Sequence, residues 1–211
     1  MFEIFLFVNP IGFYCYETEV LIKEAIDELD LNSCFRFIPV TNSKVIKEDI
    51  IRRKLKGQII NDIPEYTMAS YQALRNYHAI KCEYGNKKAR CYLVSLQKAV
   101  NSDFNVYSQD LPEQVALDLG LDFNRINNSK ISRYVDDSIQ QDKDLVRQFK
   151  VKNIPTTIIF NESGNYNGIL LEGIVAHDKL ITLFKNNNCT QISEEPKEEN
   201  GYYPSRHLRL M

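Results

Sequence analysis

The chain has 211 residues, of which 26 are Lys or Arg and 28 are Asp or Glu, so its formal net charge is −2. Such a balance provides no overall electrostatic drive toward nucleic acid or a membrane surface. Hydrophobic residues make up 44% of the chain, which is enough for a core, and no apolar run approaches the roughly 20 residues that span a bilayer. The composition indicates a globular protein without nucleic-acid or membrane partners.

The five cysteines include no C-x-x-C pair, and their number is odd. The N-terminus runs at once into strand-like sequence, without the basic stretch or the cleavage site that is typical of a secretory leader. Together these features predict a cytoplasmic protein whose thiols are reduced.

The first forty residues predict a strand, a helix and a second strand. Residues 3–8 form an apolar run that ends at Asn9-Pro10, as expected for a strand buried on both faces of a sheet. Residues 15–30 carry an apolar stripe at helical spacing, and residues 34–40 again favour a strand. We interpret this segment as a βαβ unit with a right-handed crossover.

A long helical stretch follows, from about residue 41 to residue 149, with no convincing strand in it. We expect a helix to begin near Pro64, with Met68, Tyr71 and Leu74 on its apolar face. Ser129 is expected to cap a last helix whose apolar face includes Ile131. Helices that interrupt a sheet must pack on one another and on the sheet, so residues 41–149 are predicted to form an inserted subdomain.

Strand character returns at residues 154–160, followed by a turn-rich loop at 161–168, a short antiparallel strand at 169–171 and a closing helix. The order β, α, β, helical insertion, β, β, α predicts an α/β, thioredoxin-like fold of the DsbA-like type, with its insertion after the second strand. We predict one thioredoxin-like domain from residues 1–40 and 150–186. The polar residues 187–211 are predicted to form a disordered tail.

The predicted chemistry centres on the start of the first helix. In a thioredoxin-like fold the reactive cysteine lies there, because free backbone N–H groups and the helix dipole favour a thiolate. In this sequence Gly12 stands at the attacking position and Cys15 at the resolving position, so the C-x-x-C is degenerate. We therefore expect no catalytic residue, a structural role for a shielded Cys15, and a core position for Cys34.

A second vestigial active-site position is Pro155, which precedes the third strand where this fold has a cis-proline. We expect the Ile154–Pro155 peptide bond to be cis and to open a groove that can bind an extended peptide. Aromatic side chains at a turn are costly to expose without a use. We therefore predict that a partner contacts Phe13, Tyr14, Ile154 and Pro155.

Other kinds of site have little support in the sequence. The three histidines, His78, His177 and His207, have no companions at metal-ligand spacing, so we expect no metal site. There is no Gly-rich phosphate loop and no G-x-S-x-G motif, and we expect no cofactor.

These motifs resemble the DsbA-like branch of the thioredoxin superfamily and, more narrowly, the YjbH/SpxH adaptor family of Gram-positive bacteria. The family's D-P-L-C-P-x-C-W type segment aligns with residues 9–16, and its E-I-P-T-L-V-F-F type strand aligns with residues 153–160. Both are general to DsbA-like proteins. The narrower resemblance lies in the A-I-K-A-A-x-x-x-G-K-K-A type segment at residues 79–89. Together the matches span about residues 3–186, and Gly12 replaces the family's first cysteine.

The resemblance implies a non-catalytic adaptor, because members of that family bind the transcription factor Spx and promote its degradation by the ClpXP protease. An Spx-like transcription factor, and ClpX or ClpP, are the implied partners. We expect no counterpart of the family's zinc-associated N-terminal extension. The alternative is enzymatic: a cytosolic thiol–disulfide oxidoreductase or isomerase, or a glutathione-dependent transferase of the DsbA family. A third interpretation is a chaperone-like peptide binder that uses the groove beside Pro155.

Overall fold

The computed structural model describes residues 1–101, 107–161 and 168–188, in which strands and helices follow the predicted order. The strands are β1 (Phe2–Val8), β2 (Ser33–Pro39), β3 (Thr156–Asn161) and β4 (Ile169–Glu172). The helices are α1 (Phe13–Glu28), α2 (Ser43–Leu55), α3 (Ile63–Asn101), α4 (Leu111–Asp118), α5 (Phe123–Ser129), α6 (Arg133–Gln148) and α7 (His177–Asn188). Helices α2 to α6 thus lie between β2 and β3, where the sequence predicts the insertion.

The sheet has four strands in the order β2-β1-β3-β4, with β1 parallel to β2 and antiparallel to β3. Strand β1 is central and almost entirely buried, which explains its continuous apolar sequence. On one face, the ring of Phe2 lies 5.2 Å from that of Phe184 in α7. On the other face, the ring centre of Phe149, the residue after α6, lies 5.3 Å from the ring centre of Phe5. The sheet is therefore covered on both sides.

The buried face of helix α3 differs from the predicted face. Its backbone breaks at Gly85, where φ is 81° and ψ is 171°, a conformation that glycine adopts at little cost. The buried positions of its first half include Tyr66, Ala69, Ala73 and Tyr77. Of the predicted face, Met68 and Tyr71 are exposed and Leu74 is buried, so the prediction was wrong at two of its three residues. The buried side of this half combines small and large side chains, because contacts with neighbouring elements decide which side chains face inward.

Three further predictions about single residues were wrong. Ser129 ends α5, and it is Ser132 that caps α6 by accepting a hydrogen bond from the Val135 N–H at 3.4 Å. Ile131 lies in the short connection between these helices and is exposed. Cys34 is also exposed, because β2 is an edge strand of the sheet and not an inner one.

Parts of two predicted segments lie outside the described residues: residues 162–167 of the turn-rich loop and residues 189–211 of the tail. Within the described ranges, no helix is both long enough and apolar enough to cross a membrane. The division into a thioredoxin-like domain and a helical subdomain stays a prediction.

Candidate functional site

The connection from β1 to α1 leaves no room for a side chain at Gly12. Its backbone, with φ −71° and ψ 137°, is one that any residue adopts, so glycine is not required by conformation. A Cβ atom at this position would lie 2.8 Å from the Asn9 Cβ and 2.9 Å from the Cys15 sulfur. Glycine is therefore needed here for space, and the position where a reactive cysteine is expected carries no nucleophile.

The Cys15 thiol is buried one turn into α1, with 1% of the residue exposed. Its sulfur accepts a hydrogen bond from the Asn9 N–H at 3.1 Å. Burial raises the pKa of this thiol far above its ordinary value, and the Asn9 N–H offsets only part of that rise. The thiolate is the nucleophile in thiol chemistry, so burial and the raised pKa both disfavour attack by Cys15.

The N-terminus of α1 is capped by a carboxylate from another helix. The Phe13 N–H, the first of α1, donates to Oδ1 of Asp49 in α2 at 2.9 Å, and Asp49 is buried. The helix dipole and unpaired N–H groups favour negative charge at such a place. Asp49 thus holds the position at which a thioredoxin-like enzyme would stabilise its thiolate.

A buried cation and a phenol balance the Asp49 charge. The Arg53 Nε donates to Asp49 Oδ2 at 2.9 Å, and the Tyr66 hydroxyl donates to the same oxygen. Burial, followed by the Asp49 charge, raises the pKa of Tyr66, so that its hydroxyl remains a donor. Arg53 also donates to the carbonyl of Ile11 at 2.6 Å. This Asp49–Arg53–Tyr66 cluster joins α1, α2 and α3 beneath the loop that contains Gly12.

The far end of α3 holds the same loop from a second direction. The Gln97 side chain donates to the carbonyl of Asn9 at 3.0 Å, and Arg53 donates to the Asn101 side chain at 3.1 Å. Because α3 is bent at Gly85, residues from both of its halves reach this loop. The helical insertion thus fixes the position of the vestigial active site.

The segment around Pro155 lies next to Tyr14, with an arginine between them. The Ile154–Pro155 peptide bond is cis, and both side chains are buried. Arg52 of α2 donates to the carbonyl of Ile154 at 2.5 Å, and its guanidinium carbon lies 5.5 Å from the centre of the Tyr14 ring. The Pro155 carbonyl accepts from the Gly173 N–H at 2.8 Å. The carbonyls of Ile154 and Pro155 thus both accept hydrogen bonds from within the chain.

The four predicted contact residues differ in how far they are exposed to solvent. Phe13 and Tyr14 are partly exposed at the start of α1, and their ring centres lie 5.4 Å apart. The side chains of Ile154 and Pro155 face inward and leave little surface for a partner. A partner at this site would therefore meet mainly the two aromatic rings and Arg52.

The sequence analysis missed the charged residues of α2. Asp49 and Arg53 are four residues apart and share the buried face of α2 with Val45 and Ile46. A charged i,i+4 pair on an otherwise apolar face is a visible signal, because isolated buried charges are rarely tolerated. That pattern identifies a buried ion pair, although it does not reveal that the partner is the start of α1.

Within the described residues, no group of three or more His, Cys, Asp or Glu side chains is placed to hold a metal ion. An open cavity of about 820 Å³ lies among α3, α5 and α6 and contains none of the predicted site residues. Its lining comprises Cys82, Glu83, Asp122, Asn124, Arg125, Asn128, Ser129, Ser132 and Tyr134.

The sequence model of the family described as Thioredoxin matches residues 5–181, which is most of the chain. The chain belongs to the thioredoxin family. Solved structures agree with a DsbA-like form of this fold. A thioredoxin-like oxidoreductase from Silicibacter pomeroyi is 14% identical with a TM-score of 0.58, covering 89% of this chain and 86% of that one. Pseudomonas aeruginosa DsbA2 is 17% identical with a TM-score of 0.56, covering 87% of each chain. At such identities the likeness concerns the fold alone, and it confirms the predicted thioredoxin-like fold.

A curated relative of this thioredoxin-family chain is the ClpXP adapter protein SpxH of Staphylococcus saprophyticus. The two are 19% identical over 172 residues, which cover 82% of this chain and 60% of the relative. The chain thus spans less than two thirds of that relative's length. This similarity agrees with the narrower resemblance noted in the sequence.

Proposed function

We propose that this thioredoxin-family protein is a non-catalytic, cytoplasmic adaptor that binds an Spx-like transcription factor and promotes its degradation by the ClpXP protease. The observation that carries the proposal is the start of α1, where Gly12 supplies no nucleophile and burial raises the pKa of the Cys15 thiol. The similarity to a ClpXP adapter supports ClpXP as a partner. An adaptor needs a complementary surface and exposed anchors, and it needs no reactive thiol.

Of the enzymatic alternatives, a thiol–disulfide oxidoreductase has less support than the adaptor, whereas a glutathione-dependent transferase would use the thiol of glutathione and does not depend on Cys15. Disulfide exchange begins with attack by an accessible thiolate, and a second thiol then resolves the mixed disulfide. Cys15 meets neither requirement, because burial raises the pKa of its thiol and Gly12 supplies no second sulfur. The fold alone does not decide between an enzyme and a binding protein.

For the contact with the partner we propose the vestigial site, with the partly exposed rings of Phe13 and Tyr14 as its anchors. Ile154 and Pro155 then act mainly by supporting the surface on which the two rings lie, since their own side chains are buried. Arg52, which lies against the Tyr14 ring, would present its cationic edge to the same partner.

The test is a degradation assay with purified components. An Spx-like substrate is incubated with ClpX, ClpP and ATP, and its half-life is measured with and without a saturating concentration of this protein. We expect a shorter half-life only when ClpX and the adaptor are both present. An unchanged half-life would contradict the proposal. Insulin reduction by the same preparation, abolished by Cys15→Ala, would favour the enzymatic alternative.

A further inference from the structure

The outward face of α2 exposes aliphatic side chains among lysines. Ile51 and Leu55 lie four residues apart, on one face of the helix, and are 59% and 79% exposed. Lys47 and Lys54 are exposed one turn to either side of Ile51. The opposite face carries the buried ion pair that caps α1. The buried face of α2 is thus held in place by the ion pair, and its opposite face is exposed to solvent. We name this exposed surface the α2 outer face; it consists of Lys47, Ile51, Lys54 and Leu55.

The charge of this surface is one-sided. Exposed Lys44 lies one turn before the α2 outer face, and exposed Lys56 follows the helix. The acidic residue nearest in sequence that is not buried, Glu48, lies within 3.6 Å of the Lys44 ammonium and 3.8 Å of the Arg52 guanidinium. Its charge is therefore already shared between two cations. A basic surface has formed in a chain whose formal net charge is −2.

We propose that the α2 outer face docks an acidic amphipathic segment of a protein partner. The aliphatic pair would receive the segment's apolar side chains, and the lysines would face its Asp and Glu residues. The inference rests on the proposed adaptor function, for which it supplies a docking surface adjoining Arg52 and Tyr14. Charge complementarity sets the class of partner, and the two apolar anchors set its register.

Two other occupants fit this surface less well. A second copy of the chain would bring two basic faces together, and like charges repel. A membrane surface would gain little, because the two aliphatic side chains together offer about eight carbon atoms, fewer than the single acyl chain that gives only marginal anchoring. An acidic peptide satisfies the lysines and covers both aliphatic side chains.

The test is fluorescence anisotropy with a labelled helical peptide that carries Leu at i,i+4 positions and Glu on either side of them. Two variants probe the surface: Lys47→Glu with Lys54→Glu, and Ile51→Ser with Leu55→Ser. The matched control, Lys23→Glu with Lys87→Glu, makes the same charge change at exposed sites on α1 and α3. A second peptide with Gln in place of Glu tests the role of charge.

We expect each surface variant to raise the peptide Kd by about tenfold or more, and the control variant to leave it within about twofold. The Gln peptide should bind the wild-type protein at least about tenfold more weakly. Equal affinity across all variants, or binding to phosphatidylserine vesicles in place of the peptide, would overturn the proposal. The degradation assay separates this result from the adaptor function. Degradation that persists in both surface variants would discard the surface alone, whereas peptide binding without accelerated degradation would discard the function alone.

Discussion

At the scale of single residues, Gly12 and Cys15 keep the spacing of a disulfide-forming pair although one sulfur is absent. A Cβ atom on residue 12 would lie 2.9 Å from the Cys15 sulfur. In a disulfide, each Cβ lies about 3 Å from the partner's sulfur, whereas two unbonded atoms need more room. A side chain at position 12 is thus accommodated best when it is covalently joined to Cys15.

Gly12→Cys should therefore form a disulfide with Cys15 under mild oxidation. We expect peptide mapping by mass spectrometry to find the 12–15 bond, and the oxidised variant to melt at a higher temperature than its reduced form. The matched control Gly12→Ser has a side chain of similar size that cannot bond. It should lose about 1–3 kcal/mol of unfolding free energy through overpacking against Asn9. The absence of a 12–15 disulfide after oxidation would show that the pair has lost its alignment.

At the scale of secondary-structure elements, the Asp49–Arg53–Tyr66 cluster fixes α1 against α2 and α3. Its polar atoms are buried, and the side chains of Asp49 and Arg53 are 4% and 3% exposed. In this setting each charge depends on its partners, because removal of one leaves the other unpaired in a medium of low dielectric constant. The cluster is therefore expected to matter far more for stability than the surface ion pairs.

Asp49→Asn should lower the unfolding free energy by about 3–5 kcal/mol, since it leaves the Arg53 guanidinium buried without a counter-charge. Urea denaturation followed by circular dichroism measures the change. The neighbouring Glu48→Gln serves as control, because its pairs with Lys44 and Arg52 lie near the surface and should contribute less than about 1 kcal/mol. Equal losses in the two variants would contradict the assigned role of Asp49.

A second buried polar group joins α3 to α6. The His78 Nδ1 lies 2.9 Å from the Ser138 hydroxyl, and its Nε2 lies 3.5 Å from Asp142 Oδ2. Burial lowers the pKa of His78 to about 3, so the imidazole is neutral. Burial also raises the pKa of Asp142 to about 7, although Lys81 partly opposes the rise. The Asp142 carboxyl thus gains its charge near neutral pH.

This carboxyl predicts a pH dependence of stability. The pKa of Asp142 is about 7 when folded and near 3.8 when unfolded, so between these values the folded state holds the extra proton and stability falls as pH rises. Asp142→Asn removes this decrease in stability, because asparagine does not titrate. Its stability relative to the wild type should improve by on the order of 1–3 kcal/mol between pH 5 and pH 8.

Urea denaturation of both proteins at the two pH values measures this difference. The exposed Asp144→Asn, on the same helix, should show no such trend. A constant difference between Asp142→Asn and the wild type across the range would contradict the prediction.

The order of these elements could be predicted from sequence because apolar periodicity records which face of a strand or helix is buried. The same reasoning failed where a helix has apolar residues on more than one face and any of these faces could be buried. On α3, alanine positions are buried while Met68 and Tyr71 are exposed, because contacts with other elements, which side-chain hydrophobicity does not specify, decide which face is covered. The capping of α1 by Asp49 joins residues 36 positions apart, and no local pattern records such a contact.

At the scale of the whole molecule, the helical insertion and the sheet meet at the vestigial site. The insertion supplies the cap of α1, the buried cation beneath it and the arginine that lies between Tyr14 and Ile154. Hydrogen bonds with the insertion therefore hold the loop between β1 and α1 in place.

We propose that the protein acts by binding and without thiol chemistry. The most direct test compares the wild type with Cys15→Ala in the ClpXP degradation assay, at equal concentrations of folded protein. We predict that both shorten the half-life of an Spx-like substrate to the same extent, within about twofold, because the Cys15 thiol is buried and protonated. Loss of the accelerated degradation in a folded Cys15→Ala variant would contradict the proposal that the protein acts without thiol chemistry.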